Sequence, residues 1–131
     1  MVGRAYQRQD GGMDLETLAR SKYLSLTTFR KDGTAVATPV WLVRDGDTLR
    51  VSTQASSAKV KRIRNNPNVL LAPCDVRGRL TGEQVPGTAS LQDAAETART
   101  TTLIRRRFGL LGWLFTLRGA DDRIGLTIRL S

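Results

Sequence analysis

Between Tyr23 and Thr53 the chain reads YLSLTTFRKDGTAVATPVWLVRDGDTLRVST, three runs of strand-forming residues divided by two Asp-Gly pairs. Tyr23 to Phe29 is the first strand. Lys31-Asp32-Gly33 is a tight-turn signal, because glycine adopts the positive φ that such hairpins require. Ala35 to Val43 follows as the second strand, Arg44-Asp45-Gly46-Asp47 repeats the turn, and Thr48 to Thr53 is the third, so the stretch predicts an antiparallel meander. Along the second strand Ala35, Ala37, Pro39, Trp41 and Val43 share one face, and Val36, Thr38, Val40 and Leu42 the other. Pro39 has no N–H to give a ladder, which marks an edge strand or leaves the backbone open to a ligand, beside the flat apolar wall of Trp41.

Upstream, Asp14 caps a short helix, Leu15 to Arg20. Downstream, Ser56-Ser57 cap a helix from about Ser57 to Arg64, with Val60 and Ile63 toward the core, and Asn65-Asn66-Pro67 ends it. Asn68 to Cys74 is an apolar fourth strand. Arg77-Gly78-Arg79 turns the chain into a further strand, Leu80 to Ser90, interrupted by Val85-Pro86-Gly87, whose proline implies an edge or a bulge. Asp93 opens the longest helix, Ala94 to Phe108, which stops at Gly109. In Arg123 to Leu130 apolar and polar residues alternate as in a half-buried closing strand. About six antiparallel strands with glycine turns and few helices predict a mainly β chain, a small β-barrel with peripheral helices. Residues 1–12 are expected to be a flexible tail and residues 13–131 one domain.

The chain has 131 residues, 21 Lys+Arg, 12 Asp+Glu, no His and one Cys. Without histidine the commonest general base and any His-containing zinc site are excluded; a single Cys excludes an internal disulfide. No metal site is expected, and any hard chemistry falls to a bound organic cofactor. The net charge of +9 attracts polyanions: nucleic acid, an anionic membrane, or a phosphate-bearing small molecule. The aromatic residues are not interleaved with basic ones as stacking platforms require, so nucleic acid is not an expected partner, and a basic nucleic-acid-binding barrel is the remote alternative. No targeting segment is visible, and the longest apolar stretch, Phe108 to Leu117, falls short of the roughly 20 residues of a spanning helix, so the cytoplasm is the expected location.

The start of the Ser57 helix is a candidate anion site, since its first N–H groups lack intrahelical partners and lie at the positive end of the dipole. Lys59 and Arg62, three apart, project from one face and can close on a phosphate; a solvated basic helix face is the competing reading. The Phe108 to Leu117 segment follows Arg105-Arg106-Arg107. It fits a lid over a pocket, a contact with a partner subunit or a peripheral membrane contact, against plain core or dimer packing. Cys74 reads as an inert buried thiol, and Asp121-Asp122 as a solvated loop.

These pieces also carry a resemblance. Tyr23 to Phe29, Asp32-Gly33, Thr38-Pro39-Val40-Trp41, Asp45-Gly46, Val51-Ser52-Thr53 and Ser57-Ala58-Lys59 leading to Arg62-Ile63-Arg64-Asn65-Asn66-Pro67 resemble the split β-barrel flavin and deazaflavin oxidoreductases related to pyridoxamine 5′-phosphate oxidase. The likeness runs from about residue 14 to 90 and is strongest to the short actinobacterial branch that uses the deazaflavin coenzyme F420. The resemblance implies a homodimer with a cofactor site at each end of the shared interface. Lys59 and Arg62 would hold the cofactor phosphate, helped by Ser57, with Lys61 a further candidate at a different helix angle. Thr38, Pro39, Val40 and Trp41 would lie along the tricyclic ring, and Thr53 and Gln54 beside the ribityl chain. Coenzyme F420, with FMN as the alternative, would pass a hydride to a small conjugated planar acceptor of the quinone or enone type. No catalytic residue is singled out, since Tyr23, a lysine or water could each supply a proton. An FMN-dependent oxidoreductase of the same fold and a non-catalytic cofactor-binding module are the other readings the resemblance leaves.

Overall fold

Six antiparallel strands close a barrel in the order β1-β2-β3-β6-β5-β4 in a computed structural model, which describes residues 13–117 and 122–131, with the backbone alone at Phe115. The strands are β1 Tyr23–Phe29, β2 Ala35–Asp45, β3 Thr48–Gln54, β4 Asn68–Cys74, β5 Val85–Leu91 and β6 Arg123–Leu130. The helices are α1 Leu15–Arg20, α2 Ala58–Asn65, α3 Ala94–Phe108 and α4 Leu110–Leu117. The expected tail, residues 1–12, lies outside the described residues, as does Asp121.

Both Asp-Gly turns form, with Gly33 at φ 90° and Gly46 at φ 64°, a region an L side chain enters at a cost. Alternation fills the barrel: Leu24, Leu26, Val40, Leu42, Leu49, Val51, Leu71, Leu126 and Ile128 are buried inward, and Leu18 of α1 and Ile63 of α2 join the same cluster. α3 lies outside on β2, β3 and β6. Asp93 caps it through Glu96 N, and it stops at Gly109 as the sequence predicts.

β2 changes partner along its length. Ala35 to Trp41 pair with β1, and Leu42 to Asp45 pair with β3. Ser52, Thr53 and Gln54 of β3 pair only with β6. The two strands therefore part after Leu42–Val51, and Pro39, whose ring can give no hydrogen bond to a ladder, sits on the half of β2 that lacks a β3 neighbour.

Several sequence expectations are corrected or refined. The further strand does not run from Leu80: β5 starts at Val85, and Leu80 makes one isolated bridge, to Cys74. A tight turn in which Asp75 accepts from the amides of Arg77 and Arg79, 2.9–3.0 Å away, brings Leu80 beside Cys74 and Thr81 N to Pro73 O (2.9 Å), and the chain leaves the ladder after it, over residues 81–84. Pro86 marks no bulge but a local edge, where β5 runs past the end of β6. It pairs with Leu70 at the end of β5, beyond the last β6 residue in register. Asp122 keeps access to solvent and also accepts from Ser56 Oγ in an exposed hydrogen bond. The Phe108–Leu117 segment is no core strip, since most of α4 is exposed.

Candidate functional site

Where β2 and β3 part, a cavity of about 480 Å³ opens, within the range of small-molecule sites. One wall is apolar: Tyr23 of β1, Pro39, Val40 and Trp41 of β2, and Val76 of the β4–β5 connection. The other carries Ser52, Thr53 and Gln54 of β3, Lys59 of α2 and Arg123 of β6.

Trp41 is held in place from outside the barrel. Its ring stacks on Phe108 with centroids 4.3 Å apart and planes 16° apart. Phe108 ends α3, and the preceding Arg107 ties that end down, donating to the carbonyls of Leu42 (2.7 Å) and Ser21 (2.9 Å). Helix α3 thus positions the aromatic wall although it contributes nothing to the cavity lining.

The opposite wall is cationic. Strand pairing sets Arg123 across from Gln54, and Lys59 Nζ lies 3.3 Å from Thr53 Oγ1. No carboxylate pairs with Lys59 among the described residues. Burial, then the charges of Arg62 and Arg123, hold the Lys59 ammonium below the ordinary lysine pKa. Burial also lowers Arg123, against the opposing pull of Asp122. Like charges in a half-buried corner favour a bound anion, which relieves both the repulsion and the lost hydration. The Ser52 hydroxyl is buried without a partner, a state that costs about 1–3 kcal/mol until something hydrogen-bonds to it. These features suit a ligand with a flat apolar body and an anionic end.

The residues expected from the sequence divide. Pro39, Val40, Trp41, Thr53, Gln54 and Lys59 come together around the cavity. Thr38 lies on the inward face of β2, its hydroxyl buried without a partner. Ser57 is the N-cap of α2 as expected, but its hydroxyl does not cap; Ser57 Oγ is buried and unpartnered. Arg62 turns away from the cavity wall, its Nε donating to Thr28 Oγ1 at 2.6 Å, and Lys61 is exposed. Ser52, Val76 and Arg123 were not anticipated. Arg123 reads in the sequence as the polar member of an alternating strand, and only the β3–β6 register carries it to Gln54.

Among the described residues no cluster of His, Cys, Asp or Glu could hold a metal ion, and no helix is long and apolar enough to cross a membrane. Burial, then Asp75, raises the Cys74 thiol, which keeps it protonated and inert.

A family model described as pyridoxamine 5′-phosphate oxidase matches residues 15–130. No curated protein matches the chain. Solved structures do. A conserved hypothetical protein of Mycobacterium tuberculosis aligns with a TM-score of 0.70 and 21% identity over 95% of this chain and 84% of that one. The heme storage protein HutZ of Vibrio cholerae aligns at 0.68 and 16% over 91% and 92%, and an F420 reductase at 0.59 and 22% over 88% and 92%. At these identities the likeness is one of fold.

Proposed function

The chain belongs to the pyridoxamine 5′-phosphate oxidase family, and from that premise we propose that the cavity at the β2–β3 split takes the deazaflavin coenzyme F420. The protein is then an oxidoreductase acting on a conjugated planar acceptor of the quinone or enone type. The observation that carries the reading is one cavity joining an aromatic wall at Trp41 to a cationic corner at Lys59 and Arg123. The cofactor, when bound, supplies hydride transfer. The chain's own residues bind and orient. Pro39, Val40 and Trp41 would flank the ring, and Thr53 and Gln54 would border the ribityl chain. Lys59 takes the phosphate with Arg123 beside it, and Ser57 and Arg62 stand behind. The residues' part would be to position donor and acceptor and exclude water, chemistry that needs no protein nucleophile.

The F420 reductase built on this barrel supports the deazaflavin reading; FMN is the alternative, in a family that includes flavin oxidoreductases. HutZ, a heme storage protein on the same barrel, supports a second reading, a module that binds a cofactor without turnover. A homodimer completes the proposal: Ala35 and Ala37 are exposed on the half of β2 that lacks a β3 neighbour, a small-residue surface that a second barrel can cover.

Fluorescence titration of the purified protein with coenzyme F420, FMN and riboflavin tests the cofactor, and a panel of quinones and enones tests the chemistry. The expected result is binding of F420 and oxidation of its reduced form by an acceptor. Tight FMN binding with none for the deazaflavin overturns the cofactor; binding without any turnover selects the module. Lys59→Ala is expected to weaken binding about 10- to 150-fold, the loss of one charge-assisted hydrogen bond of roughly 1.5–3 kcal/mol.

A further inference from the structure

Helix α4 inverts the usual amphipathic order. Its small residues face the protein: a Cβ added to Gly112 would stand 2.9 Å from Ile104 O and 3.0 Å from Arg105 Cα. Thr116 Oγ1 donates to Gly112 O at 2.7 Å and accepts from Arg105 Nε at 2.8 Å. Its large residues face away. Leu110, Leu111, Trp113, Leu114 and Leu117 are 50–74% exposed. Leu110, Trp113, Leu114 and Leu117 follow the spacing of three and four that makes one strip on a helix. Packing fixes this orientation, since only the Gly112 side can approach α3 so closely.

The charge around the strip indicates what covers it. From Thr97 to Leu117 the chain carries Arg99, Arg105, Arg106 and Arg107 and no carboxylate. Arg106 is exposed, and the Arg105 guanidinium lies 4.0 Å over the Trp113 ring, bringing positive charge to the edge of the apolar strip. A second copy of the chain fits poorly. It would bring like charges together, and a helix of 8 residues, about 12 Å long and about 10 Å across, offers a face on the order of 120 Å², far below the roughly 800 Å² per partner of a stable interface. We infer that α4 is an interfacial helix that docks the barrel on a bilayer rich in anionic phospholipid. Its leucines and Trp113 enter the headgroup–acyl boundary, with Arg105 and Arg106 at the phosphates.

The test is co-sedimentation of the full chain with vesicles of phosphatidylcholine alone or mixed with phosphatidylglycerol. Binding is expected only to the anionic vesicles, weakening as salt is raised. The double variant Leu110→Ser/Leu114→Ser should lose roughly tenfold or more of that binding, and Arg106→Glu a smaller factor, both with unchanged circular dichroism. Failure to bind anionic vesicles overturns the inference. So does binding that both variants leave intact, which would trace it to overall charge, and so does a Leu110→Ser/Leu114→Ser variant that changes the oligomeric state but not vesicle binding.

Discussion

Lys59 is the residue whose chemistry is most exposed to test. Burial and two neighbouring guanidiniums disfavour its charged form, so its pKa in the free protein lies below the ordinary lysine value. A bound phosphate needs the ammonium. Affinity for a phosphorylated cofactor should therefore hold at neutral pH and fall as pH rises through that lowered pKa, earlier than exposed lysines titrate. Lys59→Arg should remove the early fall, because a guanidinium stays protonated. Affinity measured against pH decides it, and a curve unchanged by Lys59→Arg would take the phosphate away from Lys59. Arg123→Gln should cost about tenfold in affinity, as for one charge-assisted hydrogen bond, with Lys61→Ala as the silent control; equal effects would place the anion elsewhere. Gly125 makes a stability prediction at the same scale. A Cβ there would run into Gln92 Oε1, the atom that accepts from Thr100 Oγ1 at 2.7 Å while Gln92 Nε2 donates to Thr127 Oγ1 at 2.9 Å. Gly125→Ala should destabilise by about 2 kcal/mol or more through that displaced network. A denaturation midpoint at the wild-type value would show that the network yields freely.

At the scale of elements, α3 is the part whose attachment matters to the site, because its last residue supports Trp41. Its limits were legible from Asp93 and Gly109, but its anchor was not. Arg50, on β3, is buried and donates through Nε to Asp45 (2.8 Å) and through Nη2 to Glu96 (2.7 Å), with Thr100 Oγ1 at 3.1 Å. Burial works against its charge, yet Glu96 and Asp45 outweigh that cost and raise its pKa. In a strand pattern an arginine between Leu49 and Val51 reads as a solvent-facing residue. Here the outward face of β3 is a helix-docking face, which sequence alternation cannot distinguish from water. Arg50→Met should cost about 2 kcal/mol, moderated because Glu96 and Asp45 keep access to solvent. Chemical denaturation with hydrogen exchange along α3 tests this; unaltered α3 protection would mean the helix is held by its apolar contacts alone.

For the whole molecule, the proposed dimer places the half-open cavity beside a second barrel. Ala37→Glu, on the small-residue surface of β2, should yield monomers in sedimentation analysis and lose cofactor affinity along with them; monomers that bind the cofactor normally would separate the site from the interface. The meander, the Asp14 and Asp93 helix caps, the alternating β6 and the basic start of α2 were readable in the chain. Each depends on neighbours a few residues apart, and local backbone chemistry sets turns, caps and periodicity without reference to the rest. The same local logic brought Trp41 and Lys59 to notice. Tertiary structure decided the rest: that β2 and β3 separate after Leu42–Val51, that Arg123 rather than Arg62 lines the cavity with Lys59, and that the large side chains of α4 face outward. Those outcomes depend on which strands pair and which helix face packs, contacts between residues tens of positions apart, and the free energy that selects them exists only once the barrel has closed.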